Sequence, residues 1–120
     1  MDDKVLKALC EKRRFELLQL MSRRSYCVRA LALAAHMSEP AISQHIKILR
    51  EAGLVYGIKR GFYTHYEVDK EALRQVIGEF EAICSAQRKP CDAPFYGCPE
   101  SQQIRCQAYV PSELRQKETE

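Results

Sequence analysis

The sequence predicts a mainly helical fold carrying one small β-hairpin, in the order α-α-α-α-β-β-α. Three observations predict it. Apolar residues recur at helical spacing through the first half, one segment there has a serine–proline start and a glycine stop, and a β-branched and aromatic run around Gly61 follows it. A chain of 120 residues holds one modest core, so an independent catalytic domain is not expected.

Val5, Leu6 and Leu9, then Phe15, Leu17, Leu18 and Met21, give two successive short helices or one helix broken near Cys10 and Glu11. Ser25 is the expected N-cap of a third helix, in which Val28, Leu31, Ala32 and Ala35 fall on one face and His36 and Met37 mark the end. Ser38 is the expected cap of a fourth. There Glu39 complements the N-terminal dipole, Pro40 sits in the first turn where its missing N–H has no helical partner, and Gly53 stops the helix. Only about three residues separate these two helices, the spacing of a helix-turn-helix.

After Gly53 the run Leu54 to Arg60, a turn at Gly61 and Phe62, and the run Tyr63 to Val68 read as a two-stranded hairpin. A hairpin placed there is a wing, so the fold class is a winged helix-turn-helix. From Lys70 to about Arg88 the helical period returns, with Leu73, Val76, Ile77, Phe80, Ile83 and Cys84 on one stripe. Pro90, Pro94, Gly97, Pro99 and Pro111 break regular structure beyond it. The expected organisation is a folded domain over 1–88 and a tail over 89–120 that contains cysteine and proline.

The composition, 46% hydrophobic and 29% charged, is that of a chain that folds. No apolar run approaches the about 18 residues that span a bilayer, and Asp2, Asp3, Lys4 and Lys7 interrupt any leader-like segment, so a cytoplasmic location without a membrane partner is expected. Charge is uneven: residues 1–68 carry 12 Lys and Arg against 7 Asp and Glu, and residues 69–120 carry 7 against 9. A basic fold with a mildly acidic appendage suits a polyanion partner.

On the fourth helix Ile42, Ile46 and Leu49 define an inward face, while Pro40, Ser43, Gln44 and Lys47 point the other way. Gln44 can offer a donor and an acceptor to an adenine edge, Ser43 can bond a base or phosphate, and Lys47 can neutralise a phosphate. In isolation this is also how a solvated helix face reads; the tight turn before it and the hairpin after it decide for double-stranded DNA. Ser38 at the helix start joins the set, and His45, beside the apolar stripe, is either a packed histidine or a further contact. In the hairpin Lys59, Arg60, Tyr63 and His65 put cations and polar tips near the turn, where a wing approaches the backbone or minor groove.

The segment Met37 to Val55, with Ser38-Glu39-Pro40-Ala41-Ile42-Ser43-Gln44-His45-Ile46-Lys47 at its centre, resembles the recognition segment of the ArsR/SmtB family of repressors. The similarity runs from about residue 4 to residue 88. It implies a homodimer whose first and fifth helices form the interface, with two recognition helices in successive major grooves of a near-palindromic operator. Leu6, Leu9, Leu73, Val76, Ile77, Phe80 and Ile83 are then the interface candidates, in agreement with the long apolar stripe.

Such repressors release DNA when a metal, metalloid or oxidant alters the dimer. The family's arsenic-type site has two cysteines one residue apart at the start of the third helix; here Cys27 is present and Arg29 stands at the second position. The family's zinc-type site needs a histidine on the fifth helix, and residues 69–88 contain none. What remains is Cys84, Cys91, Cys98 and Cys106, four thiols over 23 residues among turn formers. Such a set can wrap Zn(II), a thiophilic metalloid such as As(III), or an iron–sulfur cluster, although it lacks the short Cys-x2-Cys pair of most such sites. Two other readings stay open: Cys84 as a small hydrophobe on its stripe, and Cys91 and Cys98 as a couple that oxidises reversibly. Cys10, beside Lys12, Arg13 and Arg14, is expected to pack where the first two helices meet.

An enzyme is not expected. No Gly-rich phosphate loop or Ser/His/Asp pattern occurs, and the three histidines, at 36, 45 and 65, fall within the DNA-binding unit. A thiol redox enzyme using the tail cysteines is the best alternative of that class.

Overall fold

Five helices and three short strands make up the residues that the computed structural model describes, 1–89 with 99 and 101. They run α1 (Asp3–Leu9), α2 (Lys12–Arg23), β1 (Tyr26–Cys27), α3 (Val28–Ala35), α4 (Glu39–Glu51), β2 (Val55–Arg60), β3 (Tyr63–Val68) and α5 (Lys70–Ser85). Met1–Glu81 form one compact unit and Ala82–Glu120 a second, so the end of α5 belongs to the latter. Among the described residues no helix is long and apolar enough to cross a membrane.

The order differs from the expected one by β1, which pairs antiparallel with β3 to make a sheet of order β1-β3-β2. Tyr26 lies opposite Tyr66 and Cys27 opposite His65. Two residues carry no readable period; β1 exists because β3 offers them a free edge. The same pairing corrects the start of the third helix. Tyr26 and Cys27 are held extended, so α3 begins at Val28 with Cys27, not Ser25, at the N-cap and without a side-chain capping bond. The fifth helix ends at Ser85, three residues before the expected Arg88.

Local chemistry sets the remaining boundaries. Glu11 caps α2 by accepting the Arg14 N–H at 2.9 Å, and that bond holds its carboxyl below the usual carboxylate range. Because the shift is downward, its stabilising effect is present above the ordinary carboxylate range and is lost as pH falls through the lowered folded value. His36 adopts the left-handed region, with φ 55°, and turns the chain between α3 and α4. Ser38 caps α4, its hydroxyl accepting the Ala41 N–H at 3.3 Å. Gly53, with φ 76°, ends that helix in a Schellman motif: its N–H bonds the Arg50 carbonyl at 2.9 Å and the Leu54 N–H bonds the Leu49 carbonyl at 3.0 Å. Ser38→Ala is expected to lower stability by about 1 kcal/mol in urea unfolding, with an unchanged slope.

The core gathers Leu17 of α2, Leu31 of α3, Ile42 and Leu49 of α4, and Leu54, all fully buried. Three helices thus fix α4 by its inward side, and the buried Val55 and Val68 anchor the hairpin at its base. Asp69 joins the hairpin to α5: its N–H bonds the Leu54 carbonyl, and its carboxylate accepts the Ala72 N–H at 3.1 Å.

Candidate nucleic-acid interface

The tight packing of Ile42, Ile46 and Leu49 leaves one outcome for the other side of α4. At about 100° per residue, Pro40, Ser43, Gln44 and Lys47 must face away from the core, and all four are exposed, as is Ser38 at the cap. The helix is rigidly seated, because its N-cap, its Schellman end and its buried face are all satisfied. A polar, singly cationic face on such a helix can meet base edges with donors and acceptors at fixed positions.

His45 departs from this set. It is half-buried, with its Nδ1 3.4 Å from an Arg14 guanidinium nitrogen. Arg14 also donates to the Ala8 carbonyl at 2.8 Å and to the Lys7 carbonyl at 3.2 Å, so one α2 side chain braces the end of α1 and touches α4. Of the two readings of His45, the packed one describes its place in the protomer: it lies beside the apolar stripe and braces α4 against α2. No local sequence signal points to Arg14, since its partners lie 6, 7 and 31 residues away.

The hairpin grades from a buried base to an exposed tip. Val55 and Val68 are buried, whereas Lys59, Arg60 and Tyr63 are exposed. Strands of six residues at about 3.3 Å per residue carry the turn some 20 Å from the base. Arg60 leans back to Glu67, 3.7 Å away, and Tyr56 donates its hydroxyl to the same carboxylate at 3.3 Å, which raises the Tyr56 pKa. An exposed pair of this kind is worth little, so Arg60 can exchange Glu67 for a phosphate at small cost. His65 is not at the tip: it is half-buried in mid-strand between Ile58 and Cys27, and its Nδ1 has no hydrogen-bond partner among the described residues. Phe62, which the sequence marks only as a turn residue, is 101% exposed at the hairpin tip.

The apolar stripe of α5 splits in two. Val76 is buried and Leu73 half-buried within their own chain, which corrects their assignment to an interface between chains. Ile77 and Phe80 are exposed by 64% and 53%, and Leu6 of α1 by 46%; Leu9 is half-buried. Ile83, in the second unit, is exposed as well.

Of the cysteines, Cys27 is half-buried, and Cys10 and Cys84 are exposed free thiols. Cys10 does stand at the α1–α2 junction, but as the helix C-cap and not as packing. Cys84 is likewise not a buried hydrophobe. Among the described residues no three His, Cys, Asp or Glu side chains come together as a metal site, and Cys27 with exposed Arg29 nearby does not complete one. Cys91, Cys98 and Cys106 lie outside the described residues.

Residues 11–56 match the family model of the bacterial regulatory proteins of the arsR family, a span that covers α2 to the start of β2. The HTH-type transcriptional repressor SmtB of Mycobacterium tuberculosis is 32% identical over 73 residues, 61% of this chain and 54% of SmtB. The chain thus spans about half the length of that relative. A crystal structure described as a possible transcriptional regulator for arsenical resistance superposes with a TM-score of 0.61 at 34% identity, over 69% of this chain and 85% of the other. The homodimeric winged helix-turn-helix DNA-binding domain Mb0332 of Mycobacterium bovis, solved by NMR, gives 0.58 at 26% identity, over 68% and 75%.

Proposed function

The chain belongs to the ArsR family of bacterial regulatory proteins, and on that premise we propose that it is a homodimeric, sequence-specific DNA-binding repressor acting in the cytoplasm. The observation that carries this reading is α4, clamped by Ile42, Ile46 and Leu49 and turning Ser43, Gln44 and Lys47 outward beside an exposed, cationic hairpin. Ser38, Pro40, Ser43, Gln44 and Lys47 supply the major-groove face; Lys59, Arg60 and Tyr63 supply the wing. A gel shift with DNA from upstream of the protein's own gene tests it: a complex that weakens steeply with salt is expected, and absence of any complex at low salt overturns the reading.

The dimer forms through exposed Leu6, Ile77 and Phe80, an apolar set on α1 and α5 that the folded protomer does not use. A regulator, and not an enzyme, is the reading that the names of its relatives support.

The signal is a thiophilic metal or metalloid such as As(III) or Zn(II), or an oxidant, and the thiols that receive it are Cys84, Cys91, Cys98 and Cys106, with Cys27 beside Arg29 a separate candidate for thiol oxidation. Relatives named for arsenical resistance support this class of effector. Thiolates are the ligands such ions prefer, and an iron–sulfur cluster or a Cys91–Cys98 disulfide would use the same residues. Elemental analysis and an absorption spectrum of anaerobically purified protein separate these chemistries: zinc, a brown chromophore, or neither. Cys91→Ser with Cys98→Ser is expected to bind DNA normally and to resist release by arsenite or by a mild oxidant. Release as in the unaltered protein removes the tail from the mechanism.

A further inference from the structure

The hairpin tip carries a residue that the fold does not use. Gly61 and Phe62 are the two residues between the last strand pair, Arg60 and Tyr63. Gly61 has φ 66° while Phe62 is not in the left-handed region, the pattern of a two-residue turn with glycine first. Such a turn requires its glycine and places no demand for an aromatic at its second position. The tip gives Phe62 no packing either: it is 101% exposed, against 3% for Val55 and 6% for Val68 at the base of the same hairpin. A large apolar side chain held in water by a short, register-locked turn is a contact waiting for a partner.

The surroundings identify that partner's chemistry. Lys59, Arg60 and Tyr63 flank Phe62 and are all exposed, so the tip presents an apolar ring beside two cations, of which Arg60 is held only by the weak, exposed pair with Glu67. A protein partner with an apolar socket would have to desolvate those cations. A duplex does not, since its phosphates neutralise them while its groove floor takes the ring. We propose that Phe62 is a minor-groove wedge: it enters the groove beside the half-site held by α4, with Lys59 and Arg60 on the two bordering phosphate backbones, and leans on a base step that it partly unstacks. Wedges of this kind favour pyrimidine–purine steps, which unstack easily, so Phe62 adds sequence preference outside the bases read by Gln44. The inference rests on the DNA-binding reading and goes beyond it in naming the residue and the mode of contact.

The test uses the full chain and a duplex selected by the unaltered protein from a random pool. Phe62→Ala and Phe62→Leu are compared with the parent by fluorescence anisotropy across a salt series and by end-labelled energy transfer that reports the bend. Phe62→Ala is expected to keep its melting temperature, lose at least about 10-fold in affinity and relax the bend. It is also expected to retain the salt slope, because an apolar wedge displaces no counterions. Phe62→Leu, still apolar, keeps part of both affinity and bend. Equal affinity and equal bend in Phe62→Ala overturn the wedge while leaving the repressor reading intact. A loss of affinity traced to a changed dimer mass in sedimentation overturns it as well, by assigning Phe62 to a protein contact. If the parent selects no duplex, the repressor reading itself fails and the wedge with it.

Discussion

Gln44→Ala combined with Lys47→Ala is expected to abolish specific duplex binding in a protein that is still folded. Both side chains are exposed on α4, on the side away from buried Ile42, Ile46 and Leu49, so their truncation opens no cavity and changes stability by no more than about 0.5 kcal/mol. Their loss from an interface is another matter. A glutamine paired to an adenine edge discriminates by about 1–3 kcal/mol, and each lysine lost from a phosphate lowers the salt slope by about one. A dimer loses each contact twice, which places the expected weakening at 100-fold or more, with a slope shallower by about two. Anisotropy titrations at several salt concentrations, with circular dichroism to show folding, check both parts. Affinity like that of the parent contradicts the assignment of the recognition face.

The second large effect is expected from Ile77→Glu with Phe80→Glu. These side chains are more than half exposed in the protomer, so charge on them leaves its core untouched, yet burial in a dimer would remove four of them from water at about 1.5–3 kcal/mol each. Opposed glutamates on a two-fold axis also repel. The variant is expected to sediment as a monomer with a near-parental melting profile. Linking two sites in one body raises avidity by about 10²–10⁴, so the monomer should bind a full operator at least 100-fold more weakly while binding a single half-site as before. A stable dimer in this variant would move the interface elsewhere.

The first prediction rests on an element that local chemistry makes legible. Ser38, Pro40 and Gly53 mark the limits of α4 because caps act within a turn of the helix end, and Gly61 marks the hairpin because its two-residue loop needs a left-handed residue. What escaped the sequence was set by distant partners. β1 is two residues long and exists only through β3; with it the N-cap of α3 lies at Cys27 and not at Ser25. The sequence places His45 beside the apolar stripe but cannot name its neighbour, Arg14, 31 residues earlier. His65 has a polar tip suited to a wing, but it stands half-buried in mid-strand opposite Cys27, in a register that only β1 reveals. Periodicity located the apolar stripe of α5 yet could not divide it, because only tertiary packing decides that Val76 turns inward while Ile77 and Phe80 stay in water. Phe62 carries no signal beyond its place in the turn, because turn chemistry accounts for Gly61 alone and the exposure of the ring is set by the fold.

A two-fold winged helix-turn-helix protein reads two half-sites, and a hydroxyl-radical and methylation-interference footprint on selected DNA would reveal them. Two major-groove stretches, related by two-fold symmetry and centred about 10 base pairs apart or a multiple of that, are predicted, with protected minor groove flanking them. A single unsymmetrical stretch, or protection that ignores sequence, contradicts it.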